Sequence, residues 1–399
     1  MTAGVHDEAT AISDQLTELR RAIHREPEVG LDLPRTQEKV LAALDGLPLE
    51  VSQGASLSSV TAVLRGGRPG KTVLLRGDMD ALPITERTGL PYASAVDGAM
   101  HACGHDLHTA MLAGAARLLA ARRAELAGNV IFMFQPGEEG PGGARYMLDE
   151  GLLDAAGERP AAAYALHVGS SELPLGVYAL RPGTALAAAD QLHVTVRGHG
   201  GHASKPHLSA DPIPAACEIV VALQTLATRK FDAFDPVIIT VGNFHAGTKE
   251  NIIPDSAHFE ASIRTLSAAS RDRVKEAVVV LARQIAAAHG LSAEAEYVEG
   301  YPVTVNDGAE AAFAGGVISG VFGPERFIRP PFPLTGSEDF SYVLEQVPGA
   351  FIMVGACPPD RDPATAPDNH SADAVFDDAV LADGAALYAE LAARRLATG

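Results

Sequence analysis

Continuous apolar runs alternate with helix-periodic segments along most of the chain. The runs predicted as buried strands are residues 71–75, 130–134, 161–166 and 350–355. The segments predicted as helices are residues 7–24, 106–122, 144–150 and 379–394. Strands that are apolar on both faces and alternate with helices are typical of a mainly parallel sheet with helices on both faces. The pattern therefore predicts an α/β domain.

The pattern changes in the middle of the chain. The predicted order there is strand 191–196, helix 214–228, strand 237–241, strand 259–264, helix 270–289 and strand 293–298. This βαββαβ order is that of a ferredoxin-like domain. Its first and third strands alternate polar and apolar residues, which indicates an antiparallel sheet with one face toward solvent. We therefore predict an inserted α+β domain, residues 186–298, within an α/β domain formed by residues 1–185 and 299–399.

Composition and charge narrow the class of protein. The 399 residues include 31 Lys and Arg against 50 Asp and Glu, a formal charge of −19. Nucleic acids and anionic membranes attract clustered positive charge, so neither is expected as a partner. No segment resembles a membrane-spanning helix or a signal peptide, and three cysteines provide no disulfide framework. We expect a soluble, cytoplasmic protein.

Side chains that suit metal binding follow the predicted strands or open a predicted helix. In an open α/β sheet, ligands bind beyond the carboxyl ends of the strands, where these segments meet. Carboxylate, thiolate and imidazole groups held by rigid elements are what a first-row divalent metal requires. The candidate residues are Asp78, Asp80, Cys103, His105, Glu138, Glu139, His167 and His370.

Each candidate also has a purely structural interpretation. Asp78 and Asp80 are compatible with turn residues, and the pair 138–139 with a solvated helix start. His167 at a strand end is compatible with a hydrogen-bonded core histidine, and Cys103 with a small buried apolar residue. The joint placement of all of them favours the metal site. The motifs of helical zinc proteases, serine hydrolases, dinucleotide enzymes and phosphate-binding loops are missing or incomplete.

Several motifs in register make the sequence similar to a known family. Residues 76–83, 101–106, 135–140, 166–168 and 336–340 resemble the aminoacylase and carboxypeptidase family of dinuclear metallopeptidases. The nearest branch contains N-acyl-amino-acid amidohydrolases: hippurate hydrolases, bacterial aminoacylases and plant auxin-conjugate hydrolases. The resemblance implies a catalytic α/β domain and a ferredoxin-like lid used for dimerisation. It also implies two divalent metal ions, for which Mn, Zn, Co and Ni all suit the donors.

The resemblance also implies roles for individual residues. The implied metal ligands are Cys103, His105, Glu139, His167 and His370. Glu138 matches the catalytic base, and Asp80 matches an aspartate that orients a metal ligand without binding metal. His101 and His108 are interpreted as structural residues around the site.

Three further residues in the lid match positions with functional roles in the family. His202 matches a histidine supplied to a neighbouring subunit's active site. Asn251 and Arg264 match residues that hold the substrate or its carboxylate. Without the resemblance, Asn251 is interpreted as a turn residue and Arg264 as a solvated strand charge.

The expected activity is metal-dependent hydrolysis of N-acyl-L-amino acids to a carboxylic acid and a free amino acid. The expected assembly is a homodimer or a higher homo-oligomer formed through the lid domain. A dipeptidase or carboxypeptidase would use the same centre and stays an alternative. A non-catalytic metal-dependent binding protein would keep the ligands but would not need Glu138.

Overall fold

A computed structural model describes residues 4–398. Its helices are α1 (Val5–Ala11), α2 (Ser13–Arg25), α3 (Pro34–Leu44), α4 (His105–Ala121), α5 (Gly143–Asp149), α6 (Pro212–Lys230), α7 (Ala268–Ala288), α8 (Gly308–Phe322), α9 (Ser341–Leu344) and α10 (Val380–Ala397). Its strands are β1 (Leu49–Gln53), β2 (Val60–Arg65), β3 (Arg68–Asp78), β4 (Ala127–Gln135), β5 (Ala162–Gly169), β6 (Tyr178–Ala179), β7 (Gly183–Leu186), β8 (Ala188–Arg197), β9 (Gly201–His202), β10 (Val237–Ala246), β11 (Ile252–Ile253), β12 (Ser256–Thr265), β13 (Ser292–Tyr301), β14 (Thr304–Asn306), β15 (Phe327–Ile328) and β16 (Gly349–Gly355).

One compact unit contains the described residues up to Gly183, Val305–Pro331 and those from Tyr342 onward. Its sheet has the order β1-β2-β4-β3-β5-β16-β6-β15 within residues 4–398. The central strands β4, β3, β5 and β16 are parallel, and pairs nearer the edges are partly antiparallel. Helices α4, α8 and α10 pack against it. The prediction of a mainly parallel α/β sheet is confirmed.

Most predicted strands are longer in the structure, and two predicted elements differ in a way that changes their interpretation. Strand β5 runs to Gly169, so His167 lies inside the strand and not at its end. The predicted helix 7–24 is two helices, because Ile12 takes φ −107° and ψ 7° between them. The elements that were not predicted are α3, α8, α9, β1, β2, β6, β7, β9, β11, β14 and β15.

The parallel strands β3 and β5 separate toward their carboxyl ends. Their backbone pairing ends at Arg76 opposite Ala165. Beyond it, the buried hydroxyl of Tyr388, from α10, donates to the Arg76 carbonyl (2.5 Å) and accepts from the Leu166 N–H (2.8 Å). A side chain thus satisfies backbone groups that the sheet no longer pairs.

The second compact unit comprises Thr184–Thr304 and Phe332–Ser341. Its antiparallel sheet has the order β10-β12-β8-β13, with α6 and α7 packed on it. The succession β8-α6-β10-β12-α7-β13 is the predicted ferredoxin-like order. The domain limits 186–298 and the lid and dimerisation roles stay predictions.

No helix in residues 4–398 combines the length and apolar character needed to cross a membrane.

Candidate metal centre

A glycine turn places Cys103 and His105 at the start of α4. Gly104 precedes the helix with φ 79°, in the left-handed region. A Cβ atom on Gly104 would lie 2.3 Å from Val168 Cγ2. Both the conformation and the space therefore require glycine between these two donors.

The five predicted ligands lie together in three overlapping groups. Within each group, one donor atom per residue lies within 4.8 Å of the others. The groups are Cys103, His105 and His167; Cys103, Glu139 and His370; and His105, Glu138 and Glu139. Cys103 Sγ lies 3.4 Å from His167 Nε2, and Glu139 Oε1 lies 3.0 Å from His370 Nε2.

Unpartnered donor atoms show that this group of residues fits a cation. His105 is fully buried, and neither of its ring nitrogens makes a hydrogen bond within residues 4–398. Glu139 Oε1 is also buried, and its one close polar neighbour named here is the His370 ring, 3.0 Å away. Leaving the His105 nitrogens unsatisfied costs about 1–3 kcal/mol each, which coordination to an ion would offset. The mixed N, O and S donors suit a divalent transition metal.

His167 is oriented for ligation. Its Nδ1 lies 3.0 Å from the Val168 carbonyl, so Nδ1 carries the proton and donates it. The Nε2 lone pair then faces Cys103. Burial and the neighbouring His108 hold the pKa of His167 well below its usual value, so the ring stays neutral. This is the form that binds metal.

The charges around the site favour bound positive charge. Burial lowers the pKa of His105, but Asp78 and Asp80 outweigh this and raise it well above its usual value. Hydrogen bonds with Cys103 and Glu139 raise the pKa of His370 to about 10. A divalent cation would displace these protons, so its binding would release protons.

The carboxyl and thiol ligands respond in opposite directions. Burial raises the pKa of Glu139, but His370 and His105 outweigh it and the net shift is downward. Burial, followed by Glu139, raises the pKa of the Cys103 thiol. Glu139 is therefore ionised in the folded protein, whereas Cys103 becomes a thiolate ligand only when a cation displaces its proton.

Asp80 is a buried connector and not a turn residue. Its Oδ1 accepts from the Glu138 N–H and its Oδ2 from the Glu139 N–H, both at 3.0 Å. Asp80 Oδ1 also lies 3.4 Å from His105 Nδ1. One carboxylate thus sets the position of the glutamate pair relative to His105. Glu138 is 5% exposed.

His108 has a more specific position than the sequence indicated. Its Nε2 accepts from the Val168 N–H (2.8 Å), so its Nδ1 carries the proton and donates to Asp78 Oδ1 (2.5 Å). Because both nitrogens are used, His108 is not a metal ligand. His108 connects the ends of β3 and β5. In the sequence, its position near the site is indicated by its three-residue spacing from His105, which places both side chains on one face of the helix.

Asn369 was not identified from the sequence. Its Nδ2 donates to the Val168 carbonyl (3.0 Å), and its Oδ1 accepts from the Ser170 N–H (2.9 Å). The next residue, His370, has φ 68° and donates its N–H to the Ala102 carbonyl (2.9 Å). These bonds fix the loop that carries His370.

In the second unit, His202 pairs with Ile252 between β9 and β11. His202 Nδ1 accepts from the Ser204 N–H (3.1 Å), so in the neutral ring Nε2 carries the proton. The exposed ring can therefore present Nε2–H as a donor. Asn251 is exposed in the adjoining turn, where its carbonyl accepts from the Ala203 N–H.

Arg264 is not a solvated strand charge. The residue lies on β12 and is only partly exposed, and its Nη1 is buried without a hydrogen-bond partner within residues 4–398. Burial lowers the pKa of Arg264 below its usual value. A guanidinium with a buried, unused Nη1 donor is suited to an anionic ligand such as a carboxylate.

The chain is similar to known hydrolases. Residues 74–394 match the peptidase family M20/M25/M40. Thermostable carboxypeptidase 1 of Saccharolobus solfataricus is 36% identical over 96% of both chains. N-acetyl-L-cysteine deacetylase of Bacillus subtilis is 36% identical over 87% of this chain and 81% of that protein. The crystal structure of the Bacillus subtilis YXEP protein, a dinuclear metal-binding peptidase, matches with a TM-score of 0.84 and 32% identity, over 98% of this chain and 100% of that chain.

Proposed function

The chain belongs to the peptidase family M20/M25/M40, and we propose that it hydrolyses N-acyl-L-amino acids to a carboxylic acid and a free amino acid. The predicted class, a metal-dependent amidohydrolase, is confirmed by the family and by the named relatives. The observation that carries the proposal is the buried His105, unpartnered at both nitrogens, grouped with Glu138 and Glu139.

We propose that the chain holds two divalent ions of Mn, Zn, Co or Ni. The residues that would hold them are Cys103, His105, Glu139, His167 and His370. When bound, such ions polarise an amide carbonyl and lower the pKa of water.

Glu138 is proposed as the general base. Its carboxylate would take a proton from the attacking water and pass it to the leaving amine nitrogen. The hydrogen bond from its N–H to Asp80 sets its position, and its neighbour Glu139 is left to bind the ions.

Two lid residues are proposed to act on the substrate. The Nε2–H of His202 would donate to the oxygen that becomes negative during attack, and removing such a donor lowers kcat by about 10²–10³-fold. Arg264 would pair with the substrate carboxylate, aided by Asn251. Selectivity for a free carboxylate follows from the unused Nη1 donor of Arg264.

Glu138→Gln tests the catalytic role. The amide keeps the shape of the side chain but cannot accept the water proton, so hydrolysis should be abolished while bound metal stays near wild type. Glu139→Gln is the matched control, because it removes a ligand and should lower metal content. Retained turnover in Glu138→Gln would exclude it as the base.

A dipeptidase or carboxypeptidase activity stays the alternative. It is favoured by the carboxypeptidase relative, which is as similar to this chain as the deacetylase is, each at 36% identity. Comparing N-acetyl and N-benzoyl amino acids with dipeptides, in the presence of each added metal, separates the two. Any metal-dependent turnover excludes a non-catalytic binding protein.

We further propose a cytoplasmic homodimer formed through the second unit. Val221 on α6 and Ile238 and Phe244 on the sheet-edge strand β10 are large apolar side chains with 67%, 43% and 38% exposure. The three cysteines of the chain are free thiols, which suits a reducing compartment.

If His202 acts in the partner subunit, mixing His202→Ala with Glu138→Gln subunits should restore part of the activity. Mixed dimers without recovery would place His202 in its own subunit's site.

A further inference from the structure

A buried charged cluster joins helix α2 to the first turn of α4. Arg20 and Asp106 are both fully buried, and Arg20 Nε donates to Asp106 Oδ2 over 2.6 Å. His24 Nδ1 lies 2.8 Å from the same oxygen. His24 Nε2 lies 3.2 Å from Glu86, which accepts from the Ser94 N–H (2.7 Å). We call Arg20, His24, Glu86 and Asp106 the Arg20 cluster.

The arrangement of the Arg20 cluster is not one that adds much net stability to the fold. A buried ion pair contributes little or no net stability compared with apolar side chains of similar size. An aspartate in the first turn of a helix interacts favourably with the helix dipole even when it is exposed. Asp106 is instead withdrawn from water and held by two side chains of another helix. This arrangement restrains the backbone at Asp106 tightly.

The restraint acts next to two proposed ligands. Asp106 directly follows His105, and Gly104 adopts a left-handed conformation that a free chain would readily leave. The ring nitrogens of His105 make no hydrogen bond that could hold it in place within the described residues. The cluster is therefore well placed to keep Cys103 and His105 oriented when no ion is bound.

We propose that Arg20 and His24 are positioning residues of the metal centre, which act through Asp106 to hold the Cys103–Gly104–His105 turn in ligand geometry. The inference rests on the proposed metal centre. It makes metal affinity depend on α2, a helix that supplies no ligand.

Cobalt binding to the metal-free protein tests this role. Thiolate-to-cobalt absorption reports the geometry at Cys103, independently of turnover. Arg20→Met removes one of the two donors to Asp106, so we expect about tenfold weaker Co²⁺ binding and a changed absorption band. Arg25→Met is the matched control. Arg25 lies on the same helix, is exposed and donates to the Pro91 carbonyl (3.3 Å), so both readouts should stay at wild type.

A double variant separates positioning from stability. Arg20→Met combined with Asp106→Asn removes both charges of the pair, so the thermal midpoint should return toward wild type. If the cluster positions the ligands, cobalt affinity and absorption stay altered in this variant. If cobalt affinity and absorption both return to wild type in the double variant, the proposal is overturned. The double variant decides in the same way if Arg20→Met alone does not fold. A wild-type protein that binds no cobalt would instead overturn the metal centre itself.

Discussion

Gly104 separates two of the proposed ligands in a conformation that residues with side chains rarely adopt. A glycine between Cys103 and His105 lets the backbone turn both side chains toward one point. The structure adds a second reason, because Val168 occupies the space that a Cβ atom would need.

Replacing Gly104 separates backbone strain from steric overlap. Gly98 has φ 76°, close to the 79° of Gly104, but a Cβ on it would meet nothing within 4 Å. Gly98→Ala should lower the free energy of unfolding by about 1–2 kcal/mol from strain alone. Gly104→Ala should lower it by about 1–3 kcal/mol more, because the methyl group overlaps Val168. Urea denaturation of the metal-free variants measures both losses, and equal losses would contradict the steric argument.

At the scale of elements, side-chain hydrogen bonds connect β3 and β5 where the backbones of these strands no longer pair. Tyr388 bridges Arg76 and Leu166, and His108 bridges Asp78 and Val168. The separation leaves room for polar side chains at the carboxyl end of the sheet. The site therefore depends on α4 and α10 as much as on the strands.

Tyr388→Phe tests this bridge. It leaves the Arg76 carbonyl and the Leu166 N–H without the hydroxyl, which should lower the free energy of unfolding by about 1–3 kcal/mol. Hydrogen exchange at the Leu166 amide should become faster. Tyr146→Phe is the control, since Tyr146 is 43% exposed and should change neither quantity. An unchanged exchange rate at Leu166 would argue against the bridge.

Element order was predictable where the periodicity was strong. Uninterrupted apolar runs predicted the central strands, and helical periodicity predicted α4 and α10. Alternating strand and helix patterns predicted the ferredoxin-like succession. Helix α8 was missed because its 15 residues are apolar almost throughout and contain four glycines, so no polar face marks it. Strand β1 was missed because it is mostly exposed and lacks an apolar run.

At the scale of the whole molecule, the formal charge of −19 should oppose the approach of an anionic substrate. Raising ionic strength from about 0.01 to 0.15 M shortens the screening length from about 30 to 8 Å. We expect kcat/KM for an N-acyl amino acid to rise about two- to fivefold over this range. The control substrate is the same compound with its carboxylate converted to a neutral amide, and its kcat/KM should not rise with ionic strength. A fall in kcat/KM for the anion would mean that local positive groups dominate its approach.

The pH dependence of the free energy of unfolding should reveal the contribution of Glu86 in the Arg20 cluster. Burial raises the pKa of Glu86, but hydrogen bonds from His24, Ser94 and Thr88 outweigh it and lower the pKa from 4.5 to about 2. Glu86 therefore contributes stability above pH 4.5, and this contribution is lost as the pH falls to about 2. In Glu86→Gln, the free energy of unfolding should fall less steeply between these values. Denaturant titrations across the range measure the slope, and an unchanged slope would exclude Glu86 as a contributor.

The sequence by itself determined the alternation of strands and helices, the ferredoxin-like insertion, the family and the types of donor at the site. These are properties of periodicity and motif spacing, which are local. Only the tertiary structure decided which nitrogens of His105, His108 and His167 are available, because each depends on a hydrogen bond made or not made in the fold. It alone brought Arg20 to Asp106, 86 positions away, because a buried ion pair between helices leaves no pattern in the residues around either partner.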